Sequence, residues 1–203
     1  MDSTLTERGR QTRQRIIEAT GQQILASGIG GTTLDGVRAA TLTSKSQLFH
    51  YFPGGKNELV REVAAWEGEQ LLAAQLPWLD DLSTWESWHA WRGALVGYYL
   101  GLGRWACPIG SLAWEAAATD PELAGFVAQA MGAWRTKLAD GIRRMRDGGR
   151  LNASVDAERM AAAILAAVQG GLMLSQPERS SWPLEAALDA LLDVLRAGRL
   201  PTP

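Results

Sequence analysis

Helix-breaking residues at Gly28, Gly30-Gly31 and Pro53-Gly54-Gly55 confine residues 32–52 to short elements. The two runs between these breaks have helical spacing, and strand alternation is nearly absent. Thr32 or Thr33 can cap the first run, with Leu34, Val37 and Ala40 inward at i, i+3, i+6. A tight connection at Thr41-Leu42-Thr43 follows. Ser44 can cap the second run, with Leu48 and Phe52 inward at i, i+4. A longer helix precedes both, from about Arg10 to Ser27, with Ile17, Ile24 and Leu25 on one face and Gly28 as its stop. Packed around these apolar residues, the three helices make a small helical head. Two short helices joined by a tight turn are the helix-turn-helix arrangement, whose second helix enters the DNA major groove.

The outer face of that second helix tests the idea. With Leu48 and Phe52 inward at 100° per residue, Ser46, Gln47 and His50 point outward, and Lys45 and Phe49 flank them. No carboxylate is among them. A surface that meets base edges and phosphates needs hydrogen-bonding or basic side chains, because acids repel the polymer. Lys56 and the backbone N–H groups beside it can grip a phosphate, as can Thr33. Arg8, Arg10, Arg13 and Arg15 add positive charge. The competing reading is a helical hairpin with an ordinary polar solvent face. The aromatics Phe49, Tyr51 and Phe52 fit such a face poorly in so short a helix.

Composition divides the chain in the same place. All nine Trp lie at or after Trp66, and the first sixty residues hold seven Lys or Arg against five Asp or Glu. Further helices are expected over about 57–75, 84–105, 109–118, 120–147, 155–175 and 181–196. This is an all-α chain of about nine helices, with a head over 1–56 and a body over 57–203. On the first body helix Leu59, Val63, Trp66 and Gln70 form a stripe. Trp85, Trp88 and Trp91 share one side of the next, followed by Gly93, Gly97 and Gly101 at i, i+4, i+8. Glycine destabilises helices by about 1 kcal/mol each, so this stripe predicts close approach by a neighbouring helix, or else room for a flat ligand beside Tyr98 and Trp105. The last two helices, Met160–Leu174 and Leu184–Leu195, are apolar nearly all round. Such helices need cover on every side, which predicts a four-helix bundle with a two-fold copy. A fully internal helix pair is the alternative.

The runs Thr32 to Ala40, Ser44 to Pro53 and Lys56-Asn57-Glu58-Leu59 resemble the DNA-binding head of the TetR family of transcriptional regulators. Leu48-Phe49-His50-Tyr51-Phe52 followed by Pro53 is the most specific piece. The resemblance covers about residues 10–62. It implies an all-helical homodimer joined through its last two helices, and a cytoplasmic repressor released from palindromic operator DNA by a small aromatic or apolar effector. It implies DNA contact by Thr33, Lys45, Ser46, Gln47, Phe49, His50 and Lys56, with Ser44 and Tyr51 in the same stretch. Two positions depart from the pattern: Leu42 stands where the turn often has Gly, and Gly54-Gly55 adds a residue before Lys56. Cys107-Pro108-Ile109-Gly110, with Gln169-Gly170-Gly171, resembles a motif of one subgroup, some of whose members respond to aromatic or flavonoid-like compounds. The ligand-contact candidates are Trp66, Tyr98, Trp105, Trp114, Trp134, Gln169 and Met173. The alternatives are an activator of the same family, or a helical small-molecule-binding protein whose head is structural.

Other chemistries lack their parts. One Cys excludes an intrachain disulfide or a Cys-built zinc site. Cys107 as an enzyme nucleophile would have His89 as its only spare base, with no orienting acid evident. Gly101-Leu102-Gly103-Arg104-Trp105-Ala106 mimics a nucleotide-binding glycine pattern but follows no strand. Two separated His make no metal site, so no cofactor is expected. The longest low-charge window is read as Gly93–Gly103, bounded by Arg92 and Arg104, and is too short for the roughly 20 residues of a membrane span. Arg143, Arg144, Arg146 and Arg150 suit a solvated helix C-terminus.

Overall fold

The computed structural model describes residues 5–198, and the backbone only of residues 114–119. Its order is α1 (Glu7–Gly31), α2 (Leu34–Thr41), α3 (Lys45–Tyr51), α4 (Gly55–Ala73), a 3-10 turn (Trp78–Asp80), α5 (Trp85–Leu102), α6 (Pro108–Thr119), α7 (Pro121–Asp147), α8 (Ala157–Glu178) and α9 (Trp182–Ala197). No strand occurs among the described residues. Packing divides the chain into two compact units, one through Glu69 plus Ser111–Val127, the other Gln70–Gly110 plus the remainder from Ala128.

In the first unit, Thr6 starts α1 by accepting from the Gly9 N–H at 3.2 Å. Gly28 ends its regular part in a left-handed conformation (φ 72°), and one further turn carries the chain to Gly31. The core is Ile16, Ile17, Val37, Leu48, Phe52, Leu59 and Val63, all buried. Four expectations shift here. Leu25 and Leu34 are half-buried, Ala40 is exposed, and Ile16 takes a central place instead. α2 turns Val37 and Thr41 inward, one full helical turn apart. Thr41 is buried without cost because its hydroxyl donates to the Val37 carbonyl at 2.7 Å and lies 2.8 Å from the Thr43 hydroxyl. On α4 the buried stripe is Leu59, Val60, Val63, Ala64 and Leu71, while Gln70 is exposed. Asp120 caps the start of α7, accepting from Glu122 and Leu123 N–H groups at 3.1 and 3.0 Å. Glu122 pairs with Arg61.

In the second unit, a reciprocal Thr84–Ser87 capping box starts α5. Trp88, Trp91, Leu95 and Tyr99 form its buried stripe. Gln75, fully buried, accepts from the Trp91 indole N–H at 2.8 Å and donates to the Leu71 carbonyl. Trp88 and Trp91 meet edge to face at 5.6 Å. The glycine stripe does not meet a helix: a Cβ added at Gly93, Gly97 or Gly101 meets nothing within 4 Å. α8 and α9 pack tightly because Gly171 lies against the Leu184 backbone, where an added Cβ would come within 2.7 Å of its Cα. Arg92 clasps α5 to α9 through Asp189 (2.8 and 2.9 Å) and Glu185 (2.9 Å).

The longest uncharged window is not Gly93–Gly103 but Met160–Pro177. It makes α8 long and apolar enough to cross a membrane by length and composition, with a mean hydropathy of 1.3. Its stripe Met160, Ile164, Val168 and Leu172 is buried, as in a core helix packed on α9.

Candidate nucleic-acid interface

The turn between α2 and α3 is built from local hydrogen bonds. Thr33 caps α2 by accepting from the Gly36 N–H at 3.0 Å. Leu42 takes a left-handed conformation (φ 54°), and the Thr43 N–H closes the turn on the Arg38 carbonyl at 3.2 Å. Ser44 then caps α3 in a reciprocal box. The Gln47 N–H donates to Ser44 Oγ at 3.1 Å, and Gln47 Oε1 accepts from the Ser44 N–H at 2.9 Å. Four orphan N–H groups at a helix start would otherwise destabilise so short a helix. Leu48 and Phe52, with no exposed surface, hold α3 against the unit's core.

What remains outward matches the sequence reading for most of the helix. Ser44, Lys45, Ser46, Gln47 and His50 are exposed, and Phe49 is partly so. The expected face is therefore assembled on one helix, with no carboxylate. Gln47 differs in detail, since its carbonyl oxygen is taken by the cap and its amide N–H group faces outward work alone. Tyr51 is half-buried, its ring edge-on to His50 at 5.1 Å and its hydroxyl beside Gly9. Thr33 is exposed and Lys56 half-buried.

Two elements of the expected phosphate grip are already occupied. The Gly54 N–H donates to Glu58 at 2.7 Å, so this backbone donor beside Lys56 is taken. Arg10 pairs with Glu7, and Arg13 pairs with Glu62 while lying over the Phe52 ring at 5.3 Å. Arg8 and Arg15 are exposed. The signal for the Glu58 contact was readable, as an acid in a first helical turn suits the dipole.

In the second unit, Cys107 stands at the start of α6. Its Sγ accepts from the Gly110 N–H at 3.3 Å, and Pro108 occupies the first helical position. Gly110 leaves room there for Gln169 on α8, whose flexible side-chain oxygen would lie 2.3 Å from an added Cβ and would have to move. The Cys-Pro-x-Gly pattern is thus a sulfur cap, a helix-starting proline and a clearance for Gln169. Burial pushes the Cys107 thiol up, against the lowering effect of the Gly110 N–H and of the Gln169 and Tyr99 side chains. Burial likewise raises Tyr99.

The ligand-contact candidates are not all brought together. Gln169 is half-buried at Cys107 and Gly110. Trp105 is buried, and its backbone N–H donates to Gln176 Oε1 at 2.9 Å. Tyr98 is half-buried, edge-on to Tyr99 at 5.2 Å. Trp134 is buried, and its indole N–H, like that of Trp88, has no acceptor among the described residues. Trp66 is half-buried and belongs to the first unit. Met173 is 67% exposed on the outer side of α8. The Trp114 side chain lies outside the described residues. Tyr99 was missed, although it follows Trp88, Trp91 and Leu95 at helical spacing on one stripe.

Residues 102–191 match the family described as tetracyclin repressor-like, C-terminal domain. Over those 90 of its 203 residues the chain is similar to that family. The chain is 27% identical over 189 residues to an uncharacterized HTH-type transcriptional regulator in the lacX 3' region of Lactococcus lactis subsp. lactis, covering 90% of this chain and 92% of that one. It is 24% identical to the uncharacterized HTH-type transcriptional regulator YxaF of Bacillus subtilis (strain 168), covering 89% and 92%. Its fold matches that of a TetR transcriptional regulator from Chloroflexus aurantiacus J-10-FL with a TM-score of 0.81 at 24% identity, over 93% of this chain and 96% of that chain. A regulatory protein TetR from Rhodobacter sphaeroides matches with a TM-score of 0.80 at 17% identity, over 89% and 96%.

Proposed function

We propose that this chain is a cytoplasmic, ligand-responsive DNA-binding transcriptional regulator that acts as a homodimeric repressor. One observation carries the reading: a short helix, capped at Ser44 and locked by Leu48 and Phe52, turns an exposed face without carboxylates outward. In this reading residues 1–56 read DNA and 57–203 dimerise and sense. Ser46, Gln47 and His50 meet base edges, with Lys45 and Phe49 beside them. Ser44, Thr33, Tyr51 and Lys56 flank that contact along the phosphates. Two heads related by a two-fold axis meet half-sites roughly 34–36 Å apart.

The dimer forms through α8 and α9. Ala162, Ala166, Met173 and Leu174 are exposed on α8, and Trp182, Ala186 and Ala190 on α9 at i, i+4, i+8. Small residues there let a second copy approach closely. A small aromatic or apolar effector binds among Tyr98, Trp105, Trp134 and Gln169. It favours a state whose head spacing misfits the operator, so effector and DNA disfavour each other reciprocally.

Footprinting on the DNA flanking the protein's own gene, with and without aromatic compounds, tests this. Protection of a near-palindrome is expected, lost on adding effector. The Gln47→Ala, His50→Ala double variant should lose sequence-specific retention, and binding should weaken steeply with salt. Unchanged retention in that variant contradicts the assignment of α3.

A further inference from the structure

The turn before α3 carries a side chain that the fold itself does not use. Leu42 is 92% exposed, in a left-handed conformation with φ 54°. The backbone around it is fixed. Its N–H donates to the Arg38 carbonyl, and the Thr43 N–H shares that acceptor at 3.2 Å. Thr41 and Thr43, on either side, are buried with their hydroxyls 2.8 Å apart. That pairing turns residues 41 and 43 inward and leaves Leu42 outward. Glycine takes a left-handed position without strain, whereas a leucine there costs the fold and, at this exposure, returns almost no apolar burial. Backbone strain of this kind collects at sites where a contact outside the chain gives it a use.

Its place in the chain selects the partner. Leu42 stands two residues before Ser44, the cap of α3, and two residues of chain span about 7 Å at most. Ser44, Lys45 and Ser46 are exposed beside it. In a helix-turn-helix the start of the second helix lies against base edges, so an outward side chain at this distance from it reaches the same groove. Leucine has no donor, acceptor or charge for a phosphate or a polar base edge. The major groove offers it one apolar group, the thymine C5-methyl. A turn already held by hydrogen bonds loses little further backbone freedom on contact. We propose that Leu42 is a specificity-determining residue that meets a thymine C5-methyl at the edge of each operator half-site. The contact lies outside the α3 face described above and rests on the reading of that helix as the DNA-reading element.

Selection of the bound site from randomised duplex DNA, followed by fluorescence-anisotropy titration with each thymine in turn replaced by deoxyuridine, tests the contact. For the wild type, one thymine in a half-site should respond, its replacement weakening binding about fourfold, as loss of one methyl-sized contact implies. Leu42→Gly should bind the thymine operator about fourfold or more weakly and should ignore deoxyuridine at that position, so that the two losses do not add. Leu42→Met should keep most of the affinity. The salt dependence should be the same for all three proteins, because no phosphate contact is removed. Urea unfolding of Leu42→Gly separates a lost contact from a lost fold. A Leu42→Gly loss of equal size on thymine and deoxyuridine operators places the side chain on the sugar-phosphate backbone, or marks a loosened turn, and overturns the thymine assignment. Equal operator affinity of the wild type and Leu42→Gly overturns it as well. Failure of the wild type to select any site overturns the reading of α3 and the proposal with it, so the two failures are told apart.

Discussion

Leu42 departs furthest from what its side chain prefers. It combines a left-handed backbone with 92% exposure. That conformation costs an L-residue about 1–2 kcal/mol, and almost no apolar burial offsets it. Leu42→Gly should raise stability by about 0.5–1 kcal/mol after the larger unfolded-state entropy of glycine is subtracted. A higher urea midpoint at unchanged slope is the expected reading, and a lower midpoint would show that the side chain contributes. Cys107 makes the opposite case, a residue whose surroundings suppress its chemistry. Burial raises its thiol above the ordinary range, so the unfolded chain ionises first as pH rises. The contribution to stability is complete below about pH 8.5, the ordinary thiol value, and is lost as pH climbs toward the folded value. Cys107→Ala should flatten that alkaline loss in pH-dependent denaturation. A thiol reagent should react far more slowly with the native chain than with the urea-unfolded one. The partners of this thiol were readable only in part: Gln169 was singled out in sequence for its Gly-Gly neighbours, but nothing there tied it to Gly110 in space.

Helix starts and stops were legible because they are decided within four residues. Thr33, Ser44, Thr84 and Asp120 accept backbone N–H groups at helix starts, and Gly28 ends the regular part of α1. Facing was less legible. The stripe assigned to α2 followed i, i+3, i+6, while packing chose Val37 and Thr41 and left Ala40 in solvent. The glycines of α5 predicted a close neighbour, yet they face open space, and the close approach occurs at Gly171 on α8. Gly171→Ala should therefore destabilise by about 1–3 kcal/mol, since the clash is with the Leu184 backbone, which cannot rotate away. Gly125→Ala on α7 meets nothing within 4 Å and should stabilise by about 0.5–1 kcal/mol. Thermal unfolding of the two variants side by side checks both signs.

For the assembled protein, the exposed outer faces of α8 and α9 carry the dimer proposal. Met173→Glu would place a carboxylate on that face with little effect on the single chain, as Met173 is already largely exposed. Sedimentation should then show a monomer with unchanged helicity, and a persistent dimer would remove α8 from the interface. The all-helical class, the helix order and the outward residues of α3 were determined by sequence alone. They depend on periodicity, capping and breakers, which act over a few neighbouring residues. Tertiary structure decided what long-range partners decide. Gln75 receives Trp91, Gln169 takes the space that Gly110 leaves, and α4 with α1 and the end of α3 lines an acidic, aromatic cleft. Such contacts join residues up to more than fifty positions apart, and the side chains that fill a given space are chosen by packing density rather than by local preference.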